Sequence, residues 1–202
     1  MPMKPIRLGV LMDDISSIKP HKDSTFAMML EAQARHWEIY TFDSSDMYYS
    51  DGKVIADSRK TLVNDSESDW YSREDVQPLS LGTLDAVFMR KDPPFDMDYI
   101  YATYLLEQLE SDGVLVVNKP SSLRDANEKL FALNFPECIP KTLVSSNIKK
   151  LNTFINEIKT VVVKPLDGMG GTDIYKLSQG CLLYTSDAAD DSLRVDLGGR
   201  RI

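Results

Sequence analysis

The sequence predicts an α/β fold built on a parallel sheet, followed by a smaller α+β segment. Three observations predict it. An apolar run over residues 6–12, a helical stretch and a second apolar run over 38–42 make a β-α-β unit, whose crossover is expected to be right-handed. Apolar runs at 84–89 and 114–117 flank another helical stretch and extend the same alternation, giving a Rossmann-like first domain over residues 1–121. The order then changes to an amphipathic helix, a strand ending in a lysine, a glycine-rich loop and a further strand, which describes an antiparallel α+β lobe over residues 122–180.

The first strand, 6–12, is interrupted only by Gly9 and runs into Asp13-Asp14. In an open α/β sheet the carboxyl ends of the strands face ligands, so Asp13 is a candidate for contacting substrate or metal, although acidic residues after a strand are often only turn formers. Asp23 or Ser24 is placed to cap a helix in which Phe26, Met29, Leu30 and Trp37 recur at helical spacing. No G-x-G-x-x-G follows the first strand, which argues against dinucleotide binding at that turn. Residues 47–50 and 53–56 flank Asp51-Gly52, the pair favoured in a two-residue type I′ hairpin. Residues 64–75 are polar and acidic, with Trp70 and Tyr71 as anchors, and read as an ordered excursion. The strand at 84–89 ends in Arg90-Lys91-Asp92-Pro93-Pro94-Phe95, a proline-stiffened loop at the same edge of the sheet as Asp13. Arg90 and Lys91 are there to receive a carboxylate, or else form a solvated turn in which Arg90 pairs with Asp92. Residues 96–110 are helical by the spacing of Ile100, Tyr104 and Leu105, with Gly113 as the stop.

Past Pro120, Ser121 or Ser122 is expected to cap a helix over 123–133 that carries Asn127, Glu128 and Lys129. A short strand is expected around Leu143, then a helix over 147–159 with Leu151, Phe154, Ile155 and Ile158 inward. Val161-Val162-Val163 reads as a buried strand that hands Lys164 into Pro165-Leu166-Asp167-Gly168-Met169-Gly170-Gly171. Glycines let backbone N–H groups approach an anion closely, and Lys164 at the strand's exit would neutralise phosphate oxygens. The same make-up fits a tight turn with a surface lysine before a strand at 172–177.

A chain of 202 residues with 43% hydrophobic content fills an ordinary core, and a net charge of -8 argues against general nucleic-acid binding. Cys138 and Cys181 stand far apart in no metal-like spacing, which fits a reducing cytoplasm. No signal peptide and no apolar run of the ~20 residues that span a bilayer is present, so no membrane is expected as a partner. His21 and His36 have no partner spacing that points to catalysis.

Taken together, Lys22-Asp23-Ser24, Met89-Arg90-Lys91-Asp92-Pro93-Pro94-Phe95, Asn118-Lys119-Pro120, Leu123-Arg124-Asp125, Asn127-Glu128-Lys129-Leu130 and Lys164-Pro165-Leu166-Asp167-Gly168-Met169-Gly170-Gly171 resemble prokaryotic glutathione synthetases, members of the ATP-grasp ligases. The similarity runs from residue 6 to about residue 178. It implies a pre-ATP-grasp substrate domain followed by the first part of an ATP-grasp domain, left incomplete. The implied reaction is ATP-dependent ligation of γ-glutamylcysteine to glycine through an acyl phosphate, giving glutathione, ADP and phosphate. ATP would meet Lys129, Lys164, Gly168, Met169, Gly170 and Gly171, and Mg²⁺ or Mn²⁺ would accompany it. The metal ligands and the catalytic residues are expected outside this stretch, and the full-length form is expected to be a homo-oligomer. Alternatives are another ATP-grasp carboxylate-amine ligase, which the Arg90 to Phe95 string disfavours, and a non-catalytic Rossmann-like binding module. From about residue 181 to 202 the sequence departs from the family, and its Tyr184-Thr185-Ser186-Asp187-Ala188-Ala189-Asp190 string resembles translated adaptor read-through. The expectation is a truncated gene whose product as written is inactive.

Overall fold

The computed structural model describes residues 4–66, 68–91, 94–127, 129–166 and 173–178. It divides into two compact units, one ending at Phe131 and the other beginning at Ala132.

In the first unit, β1 (Arg7–Leu11) is the central strand, with Leu8, Val10 and Leu11 fully buried. Gly9 sits at its middle, where a Cβ would come within 2.7 Å of Leu84 Cδ1 and 3.2 Å of Phe42 and Val87, so any larger residue forces those side chains to shift. The helix α1 (Ser24–Ala34) starts where the Asp23 carboxylate accepts the Phe26 N–H at 2.8 Å, and it buries Phe26, Met29 and Ala32. Its helical spacing does not carry through to Trp37. The chain turns at His36 (φ 60) and Trp37 packs on the core from the following loop.

β2 (Glu38–Phe42) runs parallel to β1. β3 (Met47–Ser50) and β4 (Lys53–Val63) form the expected hairpin, with Asp51 (φ 51) and Gly52 (φ 76) both left-handed as a type I′ turn requires. β4 is longer than its sequence suggested. It continues to Val63 and pairs antiparallel with β2, where the buried Thr41 and Thr61 hydroxyls meet at 2.8 Å. Two short strands, β5 (Tyr71–Arg73) and β6 (Gln77–Ser80), also pair with β4, so the polar excursion is ordered by the sheet. β7 (Ala86–Met89) lies parallel on the other side of β1, α2 (Met97–Ser111) follows with Gly113 (φ 92) past its end, and β8 (Leu115–Val117) pairs parallel with β7. The strand order β3-β4-β2-β1-β7-β8 is therefore a parallel Rossmann-like centre extended by antiparallel strands into a mixed sheet.

α3 (Pro120–Asp125) ends well short of residue 133, and the cap is Lys119 with Pro120 in the first turn rather than Ser121 or Ser122. The Asn127 side chain accepts the N–H groups of Lys129 and Leu130, both at 3.0 Å, and this local turn replaces the helical ladder. A 3₁₀ turn, Phe131–Asn134, comes next.

In the second unit no strand forms around Leu143, since residues 139–147 make neither helix nor ladder. Pro140 removes a donor, Leu143 is only half-buried, and among the described residues no neighbouring strand pairs with this stretch. α4 (Ile148–Ile158) begins where Asn147 accepts from Lys149 and Lys150 and ends at Lys159 (φ 70). β9 (Thr160–Val163) pairs antiparallel with β10 (Tyr175–Ser178), in the register Val161↔Leu177 and Val163↔Tyr175. Gly168, Met169, Gly170, Gly171 and the stretch 181–202 lie outside the described residues. Among the described residues, no helix is long and apolar enough to cross a membrane.

Candidate functional site at the carboxyl edge of the parallel strands

Because β1, β2 and β7 are parallel neighbours, the residues that leave them arrive together. The Met12 N–H donates to Phe42 O at 3.0 Å and the Arg90 N–H to Leu11 O at 2.7 Å, which sets Asp13, Asp43, Arg90 and Lys91 side by side at one edge. Lys91 is held by two carboxylates: its ammonium donates to Asp13 and, at 2.6 Å, to Asp43. Burial works against that charge, but the hydrogen bonds to Asp13 and Asp43 outweigh it and raise the ammonium above its ordinary value. Burial likewise pushes the Asp43 carboxyl up, and the hydrogen bonds from Lys91 and Ser45 more than reverse it, leaving the group below the usual carboxylate range.

Arg90 is placed differently. Its Nε donates to Thr25 Oγ1 at 2.9 Å and a terminal nitrogen donates to Ser24 Oγ at 2.8 Å. Both acceptors are neutral hydroxyls on the first turn of α1, so the guanidinium is oriented without being neutralised. It faces a cleft of about 360 Å³ lined by Met12, Asp13, Ser17, Ile18, Lys19 and Lys22 together with Asp23, Ser24 and Thr25. Of the two acids, Asp23 is committed to the α1 cap and Asp13 to Lys91. Lys19 and Lys22 make no ion pair among the described residues, so the cleft carries a cationic surplus suited to an anionic group. Against this chain's net charge of -8 that is a local exception.

Three of the sequence-derived candidates, Asp13, Arg90 and Lys91, thus come together. Asp43, Ser24 and Thr25 were missed as partners, although Asp43 follows a parallel strand as Asp13 does and the same edge rule would have found it. Lys129 lies in the first unit, half-buried just after the Asn127 turn. Lys164 lies in the second, exposed at the exit of β9. Among the described residues no group of three or more His, Cys, Asp or Glu side chains could hold a metal ion.

The model of the N-terminal domain of prokaryotic glutathione synthetase matches residues 6–124, more than half of the chain, and that of the ATP-grasp domain of the same family matches residues 128–183. The chain belongs to the prokaryotic glutathione synthetase family. Similar proteins include the glutathione synthetase of Vibrio vulnificus strain YJ016, 50% identical over 174 residues, covering 86% of this chain and 55% of that protein. The glutathione synthetase of Pseudomonas putida is 49% identical over 175 residues, covering 87% and 55%. The chain therefore spans about half the length of the curated relatives it matches. Among solved structures, the ATP-grasp ligase PsnB complexed with a phosphomimetic variant of its minimal precursor, Mg and ADP aligns with a TM-score of 0.50 at 16% identity. That alignment covers 85% of this chain and 57% of PsnB and speaks for the fold alone.

Proposed function

We propose that the chain serves the ATP-dependent ligation of γ-glutamylcysteine to glycine, and that the cleft beside Arg90 receives a carboxylate of the γ-glutamylcysteine. The observation that carries this reading is the pairing of family membership with a guanidinium aimed by two hydroxyls into a cleft of cationic surplus. In the reaction, a substrate carboxylate oxygen attacks the γ-phosphorus of ATP and the bond to the bridging oxygen breaks, releasing ADP and leaving an acyl phosphate. The deprotonated amine of glycine then attacks the acyl carbon, and phosphate departs as the amide forms. Bringing ATP and a carboxylate together opposes two anions, so cations are needed at both ends.

Residues 1–121 would bind the peptide, and residues 122–180 would contribute to ATP through Lys129, Lys164, Gly168, Met169, Gly170 and Gly171. A lysine ~4 Å from a phosphate charge gains about 4 kcal/mol at an effective dielectric of 20. Mg²⁺ or Mn²⁺ would accompany the nucleotide, but the described residues do not supply a ligand set for it, and no residue here is assigned to that role. A homo-oligomer acting in the cytoplasm completes the reading, supported by family membership and by the sparse cysteines.

Isothermal titration of the chain with γ-glutamylcysteine and, separately, with ATP tests the assignment. Saturable binding of the peptide by this chain is expected. Its absence at millimolar peptide would sink the reading of the cleft.

A further inference from the structure

Part of the cleft's lining, Ser17, Ile18 and Lys19, continues directly from a short 3₁₀ turn, Ile15–Ser17. That turn is fastened from outside the cleft. One Asp14 oxygen accepts the Ser16 N–H at 2.8 Å, and the other accepts Arg73 at 2.9 Å. Trp70 Nε1 reaches Ile15 O at 3.4 Å, and Ile15 itself is buried in the same apolar cluster that Trp70 and Tyr71 pack against. Neither Trp70 nor Arg73 lines the cleft. Both belong to the polar excursion 64–75, and Arg73 sits on β5, whose backbone is fixed by its pairing with Thr61 of β4. The Arg73 guanidinium is further restrained 5.1 Å above the Tyr71 ring. A side chain anchored in the sheet and across an aromatic ring thus grips a turn whose one other polar tie outside its own residues, among the described residues, is Trp70 to Ile15.

We propose that Arg73 is a positioning residue for the substrate cleft: through its ion pair with Asp14 it holds the Ile15–Ser17 turn, and with it the Ser17, Ile18 and Lys19 lining, in the shape that receives the carboxylate-bearing peptide. This rests on the reading of the cleft given above. It also assigns a purpose to the excursion 64–75, whose described residues contribute no side chain to the cleft yet are tied to the segment that does. Hydrogen bonds from Ser16 and Arg73 hold the Asp14 carboxyl at about 2, so the clamp is charged at any neutral pH.

The test is calorimetric titration of γ-glutamylcysteine into the chain and into Arg73→Ala, Asp14→Asn, their combination, and Arg73→Lys. Amide hydrogen exchange is followed at residues 16–19 of each. Asp14→Asn keeps an oxygen for the Ser16 N–H while removing the charge. Each of the first two variants is expected to weaken binding about three- to fivefold, the range of a partly exposed ion pair, with the double variant no weaker than either single one. Arg73→Lys is expected to recover most of the affinity, and exchange at 16–19 is expected to quicken in Arg73→Ala while β1 and α1 keep their protection. Binding by Arg73→Ala equal to the parent, or losses in the two single variants that simply add, would overturn the positioning role and leave the cleft assignment standing. A parent chain that binds no γ-glutamylcysteine removes the cleft assignment and the positioning role with it.

Discussion

Removing the guanidinium of Arg90 is the sharpest perturbation of the cleft. Its two internal hydrogen bonds, 2.9 Å to Thr25 and 2.8 Å to Ser24, end on neutral oxygens, so its charge is left for a ligand. A hydrogen bond to a charged group contributes about 1.5–3 kcal/mol, below the Coulomb ceiling of about 4 kcal/mol for a pair ~4 Å apart at a dielectric of 20. Arg90→Ala is therefore expected to weaken γ-glutamylcysteine binding about ten- to 150-fold. The fold loses much less. Thr25 is 5% exposed and gives up one neutral acceptor contact, a cost of about 1 kcal/mol, while its hydroxyl stays free to rotate. Isothermal titration measures the affinity, and circular-dichroism melting shows that the variant is folded. Arg90→Lys is expected to fall between the two, because a lysine keeps the charge but not the planar fork that spans both hydroxyls. A folded Arg90→Ala variant that binds within twofold of the parent would refute the reasoning and return Arg90 to a structural role.

Three further outcomes are expected. Lys91→Met leaves Asp13 and Asp43 facing each other without their cation, and with these groups partly exposed the loss is about 1–2 kcal/mol in urea unfolding at neutral pH, with Asp43→Asn in the same background restoring part of it. Gly9→Ala drives a methyl against Leu84, Phe42 and Val87 in the core, so unfolding stability is expected to fall by about 1–3 kcal/mol; an unchanged melting temperature would show that the side chains give way freely. The Asp14 carboxyl is lowered from 3.8 to about 2 by Ser16 and Arg73, so its contribution is complete above pH 3.8 and is lost as pH falls toward 2; Asp14→Asn and Arg73→Ala are each expected to flatten the stability profile in that window, read by denaturation at stepped pH.

What the sequence disclosed and what it concealed divide along sequence separation. The elements read correctly are those whose signals are local: the Asp23 cap of α1, the Asp51-Gly52 turn and the Gly113 stop of α2 each satisfy backbone groups within a few residues. The failures come from two sources. The helix expected through residue 133 rested on a serine cap, but Asn127 competes for the Lys129 and Leu130 N–H groups, a choice that the cap does not record. β4 reads as strand only to Ala56 because residues 57–61 are polar on both faces and carry no alternation, and its extent to Val63 is set by Ile39, Tyr40 and Thr41 of β2 and by Tyr71, Ser72 and Arg73 of β5.

The same logic governs the site. Asp13, Arg90 and Lys91 were legible because each follows a strand, and parallel topology alone brings such positions together. Their roles were not legible, since those depend on partners 48 to 78 residues away: Asp43 and Asp13 for Lys91, Ser24 and Thr25 for Arg90. Adjacent cations in the sequence invite one description, yet one is consumed by two carboxylates while the other is aimed by two hydroxyls. The difference is one of direction just past the end of β7: Arg90 turns toward α1 and Lys91 toward the carboxyl ends of β1 and β2. Of the pair, Arg90 is the residue whose charge is still available to a substrate, and Lys91 is the one that holds the edge of the sheet in place.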